Sequence, residues 1–215
     1  GSNEWWDKDW ETGFYKQEII GKCWLGYQNL KGDRQADRNV HGGVDKAICV
    51  YPDEHYTYWK HEFPTVKMNA GSFGENFTTT GLLEEEVCIG DVYSVGEALV
   101  QVTQPRQPCY KLARRWRIKD LAQQVQLTGR TGFYFRVLEH GFVEAGNSLK
   151  LIERKYPKFN NAYYNRLIHK DKHDYDAVLE LSKCQPLSAS WKDTLYARFR
   201  NRTTEDSSSR LRQQD

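Results

Sequence analysis

The chain has 215 residues, 39% hydrophobic and 28% charged, and its 31 Lys and Arg nearly balance 29 Asp and Glu, for a formal net charge of +2. That balance excludes the basic stripe of a general nucleic-acid binder. No apolar run approaches membrane-spanning length and no signal-peptide pattern opens the chain, so the sequence predicts a globular, cytoplasmic protein with no membrane partner.

From about Phe14 to Arg154 the text reads mainly as strands. Lys46 to Tyr51 is short and apolar, and a helix is predicted from Pro52, whose fixed φ suits a first helical position and which puts Tyr56, Trp59 and Phe63 on one face. Val87, Ile89, Tyr93 and Val95 alternate, with Asp91 as the polar exception. Ala98, Val100 and Val102 follow after Gly96-Glu97, so residues 87–95 and 98–103 predict a hairpin. A helix is expected near Lys119 to Leu127. Phe133, Phe135 and Val137 alternate again, and glycine turns lead to Leu149 and Leu151. Many short strands with glycine turns suggest a barrel or a sandwich. After Tyr156-Pro157 the spacing becomes helical. Tyr163 and Leu167, Val178 and Leu181, then Trp191, Leu195 and Phe199 each mark a one-sided helix, and Leu187-Ser188 reads as staple and N-cap before the last. The expected organisation is therefore a β domain over residues 1–155, a three-helix domain over 156–202 and a disordered polar tail over 203–215.

Cysteines at 23, 49, 88, 109 and 184 form no Cys-x-x-Cys pair, so neither a disulfide framework nor a zinc or iron-sulfur site is written here. Cys109 stands apart. It lies in Gln104-Pro105-Arg106-Gln107-Pro108-Cys109-Tyr110-Lys111, where two prolines should stop the strand after Thr103 and place the thiol in irregular backbone. Arg106 and Lys111 both favour its thiolate, the form that attacks electrophiles or binds metals. The competing reading of any free cysteine is a small buried hydrophobe.

Glycine also clusters with polar side chains in Gly32-Asp33-Arg34-Gln35-Ala36-Asp37, His41-Gly42-Gly43-Val44-Asp45-Lys46, Gly71-Ser72-Phe73-Gly74-Glu75-Asn76 and Gly129-Arg130-Thr131-Gly132. Glycines let a ligand approach the backbone, and Lys16, Arg34 or Arg106 could grip a phosphate, so the set suits an anionic ligand. Of the six histidines only His41, followed by glycines, is a candidate pocket residue. No Gly-x-Ser-x-Gly, phosphate-binding-loop or Gly-x-Gly-x-x-Gly pattern is present.

Those blocks, together with Thr12-Gly13-Phe14-Tyr15-Lys16 and Ile89-Gly90-Asp91-Val92-Tyr93, resemble the MOSC domain, and their order is similar to the bacterial YiiM-type subgroup with its C-terminal three-helix domain. The resemblance implies a mainly β fold, a MOSC β-barrel with a few peripheral helices and a small three-helix domain. It implies a molybdenum cofactor of the molybdopterin type, with phosphate as an alternative occupant in recombinant protein, and two-electron reduction of N-hydroxylated compounds such as N-hydroxylated purine bases, a detoxification chemistry. A non-catalytic cofactor carrier or a sulfur carrier is the alternative. By the same resemblance Cys109 is the molybdenum ligand, Lys16 and Arg34 hold the phosphate, and Asp45, Lys46 and Asn76 line the pterin. His41, Ser72, Thr78, Arg106 and Arg130 are further cofactor-binding candidates. Two departures stand out. Little room remains for the family's N-terminal strand before the Thr-Gly block, and Gly74 occurs where animal relatives carry arginine.

With no flavin, nicotinamide or iron-sulfur fingerprint, electrons would have to come from an external donor protein, a flavin or iron-sulfur reductase. Lys170, Lys172, Lys192, Arg198 and Arg200 are a candidate docking face, or simply a solvated one. Trp5, Trp6 and Trp10 suit a barrel edge or the contact of a homodimer.

Overall fold

The structure is a computed structural model that describes residues 12–33 and 42–212. Its centre is a six-stranded sheet. The strands β2 (Ile48–Pro52), β3 (Phe77–Thr79), β4 (Val92–Val95), β5 (Ala98–Pro105), β6 (Phe133–Glu139) and β8 (Lys150–Glu153) run in the order β3-β2-β6-β5-β4-β8. All neighbours are antiparallel except β2 and β3. A second, two-stranded sheet pairs β1 (Cys23–Leu25) with β7 (Gly141–Val143). The six-stranded sheet curls as a half-barrel, with register shifts in β5 between Leu99 and Val100 and between Val102 and Gln104 adding to its bend.

Alternation along the strands separates two cores. Ile48 and Val50 of β2, Phe133 and Phe135 of β6, and Val100 and Val102 of β5 face a large aliphatic cluster. It continues into Leu167, Leu181 and Leu195 of the helical region. Tyr51, on the other face of β2, joins an aromatic cluster with Phe14, Phe73 and Leu112. There the helix α1 (Glu54–Glu62) contributes Tyr56 and Trp59, as its spacing predicts.

Three local expectations change. Pro52 is the last residue of β2, paired with Thr79, and α1 starts after Asp53; a proline with no N–H is tolerated at a strand end. Residues 87–91 form a turn rather than the first half of a strand, because the Asp91 carboxylate accepts the Cys88 amide at 2.8 Å. Pairing in β5 runs on to Pro105 opposite Phe133 before it stops. A short helix that the sequence did not reveal, α2 (Tyr110–Trp116), follows at once, and α3 (Leu121–Thr128) lies beside it.

The C-terminal part contains α4 (Asn161–His169), α5 (Tyr175–Ser182) and α6 (Ala189–Asn201). Asn160 caps α4 by accepting the Tyr163 amide at 2.7 Å, and Asp174 caps α5 through Ala177 at 3.1 Å. Ser188 stands at the N-cap of α6 behind buried Leu187. Arg198 does not belong to the exposed basic face expected from sequence. It is 2% exposed and ion-paired with Glu205. Where composition predicts a disordered tail, residues Ser208–Leu211 form one turn of helix, α7. Among the described residues no helix is long and apolar enough to cross a membrane.

Candidate functional site

The register of the central strands assembles the site. Cys49 of β2 lies opposite Tyr134 of β6, and Tyr134 lies opposite Gln104 of β5, so these three share the face away from the aliphatic core. Beyond Pro105 the chain turns, and Arg106 N donates to Gly132 O at 2.9 Å. Gly132 has a φ of +70° and a Cβ there would lie 2.3 Å from Val50 O, so only glycine lets this loop close onto β2. Cys109 then sits at the N-cap of α2 in extended backbone, φ −132° and ψ 167°. It is 7% exposed, so the irregular backbone expected for the thiol is there and its access to solvent is narrow.

Arg106 is equally buried, at 7% exposure, with its guanidinium 5.6 Å from the centre of the Phe14 ring. Its Nη1 has no hydrogen-bond partner among the described residues. Burial pulls this cation down, but Cys49, Tyr134, Cys109 and Glu75 around it outweigh that and raise it above its ordinary value. The Cys49 thiol is pushed up by burial, with Arg106 opposing, and Tyr134 is likewise pushed up by burial and by Cys49. One buried guanidinium is thus shared electrostatically between two thiols and a phenol.

A polar relay forms the rim. Asn76 N donates to Cys49 O at 2.8 Å, Cys49 N donates to Asn76 Oδ1 at 2.9 Å, and Asn76 Nδ2 donates to Asp33 Oδ2 at 2.7 Å. Asp33 in turn forms a close ion pair with Lys16. The loop between is tied by buried Glu75, which accepts from Tyr56 Oη (2.5 Å), Gly71 N (2.7 Å), Phe73 N (3.0 Å) and Thr78 Oγ1 (2.9 Å). Arg115 closes the other side. Its Nη1 donates to Phe14 O at 2.7 Å and Gly71 O at 3.0 Å, and its guanidinium lies 5.2 Å from the Phe14 ring centre.

The structure therefore brings Cys109, Arg106, Asn76 and Lys16 around one polar face of the sheet. Other candidates have different partners. The Asp45 carboxylate pairs with Arg136 at 2.6 Å and accepts the Ala189 amide, the first of α6, at 3.1 Å, so it faces the helical domain. Lys46 ends the 3₁₀ turn Val44–Lys46. Ser72 Oγ accepts the Asn69 amide at 2.7 Å, Thr78 serves Glu75, and Arg130 lies 4.0 Å over the Tyr58 ring of α1. Arg34 and His41 lie outside the described residues.

Sequence reasoning missed Cys49, Tyr134 and Arg115. The first two had a signal: each alternates with core residues (Ile48 and Val50, Phe133 and Phe135), so each had to point the other way. Arg115 had none, since its partners lie far away in the chain. Gly74 has a φ of +74°, and a Cβ there would press the Phe14 ring at 3.1 Å. A side chain at 74 would be strained by that φ and would need the Phe14 ring to give by a few tenths of an ångström, and Arg115 already lies against the same ring.

Comparison with known proteins bears on the family and the fold. The MOSC domain profile matches residues 37–150, and the YiiM-like, 3-alpha helix domain profile matches residues 162–201. An uncharacterized protein, YflK, of Bacillus subtilis is 46% identical over 182 residues, 85% of this chain and 82% of its own length. Protein YiiM of Escherichia coli is 41% identical over 211 residues, covering 91% of this chain and 88% of that one. Its crystal structure superposes with a TM-score of 0.84 at 38% identity, over 92% of this chain and 94% of that one. A Gibberella moniliformis protein named reductase is 36% identical over 160 residues, 73% of this chain but 28% of the longer relative.

Proposed function

The chain belongs to the MOSC domain family, with a YiiM-like three-helix domain, and on that premise we propose that it is a molybdenum-cofactor-dependent reductase of N-hydroxylated compounds. The observation that carries this reading is Arg106. A guanidinium that is 7% exposed and has an unpartnered Nη1 is an unusual cost unless an anionic or acceptor-rich ligand completes it, and it stands in the field of Cys109. The reductase name of the fungal relative points the same way.

The residues fit the group. A single soft thiolate suits molybdenum, and no set of three or more His, Cys, Asp or Glu side chains among the described residues could hold a metal alone, so the remaining ligands would come from the pterin dithiolene. Cys109 would bind the metal, Arg106 and Asn76 would meet the pterin, and Lys16 with Arg34 would take the phosphate. Arg115 is the candidate for the cation that Gly74 does not supply. When bound, the group supplies the two-electron oxo-transfer chemistry.

The protein's share is orientation and exclusion. Cys49 and Tyr134 are buried with the cation, and Glu75 fixes the loop bearing Asn76. Overall, R–NH–OH, two electrons and two protons give R–NH₂ and water. The electrons require a separate flavin or iron-sulfur donor protein. The test is reduction of an N-hydroxylated purine and of an amidoxime by cofactor-loaded protein with an artificial electron donor. Turnover supports the reading, whereas bound cofactor without turnover of any such substrate would favour a carrier.

A further inference from the structure

The C-terminal tail returns to the thiol. Glu205 is gripped by buried Arg198 of α6, with Nε donating to Oε1 at 3.0 Å. Asp206 then starts α7 by accepting the Ser208 amide at 2.8 Å. From that turn Arg210 Nη1 donates closely to the Pro108 carbonyl, and its Nη2 donates to Gln126 Oε1 of α3 at 2.6 Å. Leu211 and Arg212 close a cleft with Lys119, Asp120 and Gln123. The tail is thus fastened at its start, at its turn and at its end.

The Pro108 carbonyl belongs to the peptide unit whose nitrogen is that of Cys109. Whatever fixes that carbonyl fixes the plane from which the Cys109 side chain departs. As N-cap residue Cys109 makes no side-chain capping bond, and α2 is only seven residues long, too short to hold itself. Upstream the turn is held by Arg106 N on Gly132 O, and downstream by Leu112 N on Cys109 O. We propose that Arg210 is a positioning residue of the Cys109 site, reaching from the end of the chain to hold the thiol-bearing turn in place. The tether stands on the hydrogen bonds alone; the use made of the thiol rests on the reductase reading above. A guanidinium fork suits two acceptors on different elements better than an ammonium would. Burial depresses the Arg210 cation while Cys109 opposes that, consistent with the two groups being within electrostatic reach. The helical domain also holds a second strand neighbour of the site, through Asp45 to Ala189 N and Ser188 N to Thr103 O at 3.4 Å.

Hydrogen exchange followed by mass spectrometry on the full-length protein, with Arg210→Ala and Arg210→Lys beside the parent, tests this directly. Loss of a charge-assisted pair of bonds should raise exchange in the peptide over residues 109–113 by about tenfold in Arg210→Ala, with α5 and β6 unchanged. Arg210→Lys should recover part of that protection through the single bond to Pro108. In cofactor-loaded enzyme Arg210→Ala should lower kcat by about tenfold and leave KM unchanged, because the reacting centre is displaced and the substrate pocket is not. Unchanged exchange at 109–113 overturns the proposal, and so does a uniform rise across the whole chain. If the parent itself reduces no N-hydroxylated substrate, the reductase reading fails, and the exchange result still decides the tether.

Discussion

Asp91 and Arg106 are both buried ionisable side chains, at 0% and 7% exposure, and the fold treats them in opposite ways. Asp91 receives Arg154 Nε at 2.9 Å and Nη2 at 2.7 Å, the Cys88 amide at 2.8 Å and Tyr93 Oη at 3.3 Å. Its carboxylate is fully engaged, and what it does is lock the turn before β4 to the end of β8. Among the described residues Arg106 has no carboxylate partner at ion-pair distance, and its Nη1 has no hydrogen-bond partner. A buried charge that the chain satisfies itself belongs to the fold. One left incomplete in the field of a thiol is a place where a ligand would complete it.

Breaking the two sites should have opposite signatures. Arg106→Met, which keeps an unbranched side chain and removes the cation, should reduce kcat of cofactor-loaded enzyme by about a hundredfold or more, the order lost with a single preorganised charged donor. Thermal unfolding should show the variant at least as stable as the parent, since replacing a buried uncompensated cation by an apolar side chain is neutral or stabilising. Asp91→Ala should do the reverse: urea titration should show a loss of about 3–5 kcal/mol, because the Cys88 amide and Tyr93 Oη lose their acceptor and Arg154 keeps only the Glu86 carbonyl, while kcat per folded molecule stays near the parent value.

Asn76→Ala sharpens the comparison at intermediate size. It cuts the link between the Cys49 backbone and Asp33, costing about 1–3 kcal/mol in unfolding experiments, and should also weaken cofactor retention on gel filtration, as a purely structural asparagine would not. The effect that is absent at neutral pH concerns the helical domain. His169 is held down to about 3, first by burial and then by Arg210, Lys172 and Arg198. The folded protein therefore binds this proton less readily than the unfolded chain, whose ordinary value is about 6.5. Its contribution is present above pH about 6.5 and is lost as pH falls toward 3. His169→Gln should flatten the pH dependence of unfolding in that window without changing activity at neutral pH.

How far the sequence disclosed all this depended on the range of each interaction. The turn at Cys109 was legible because Pro105 and Pro108 act on their own backbone and Arg106 and Lys111 are neighbours in the chain. The cores were legible because Ile48, Val50, Phe133 and Phe135 alternate. Asp91 was noticed as a polar exception, yet residues 87–91 still read as strand. The competing force was its side chain capturing the Cys88 amide, a local bond that apolar alternation does not encode. The role of Asp45 toward α6 and that of Arg210 toward Pro108 join residues more than a hundred positions apart, and no periodicity announces such pairs. The order of the tail was hidden for the same reason: it comes from Glu205 on Arg198 and Arg210 on Pro108 rather than from any apolar stripe.

The central claim is that Cys109 and Arg106 together hold a molybdenum centre. Protein produced in a host that makes the cofactor, purified without chelators and analysed for molybdenum beside Cys109→Ser, tests it most directly. The account predicts stoichiometric metal in the parent and its loss from the serine variant with folding intact. A parent free of molybdenum, or a Cys109→Ser protein that retains as much as the parent, would contradict it.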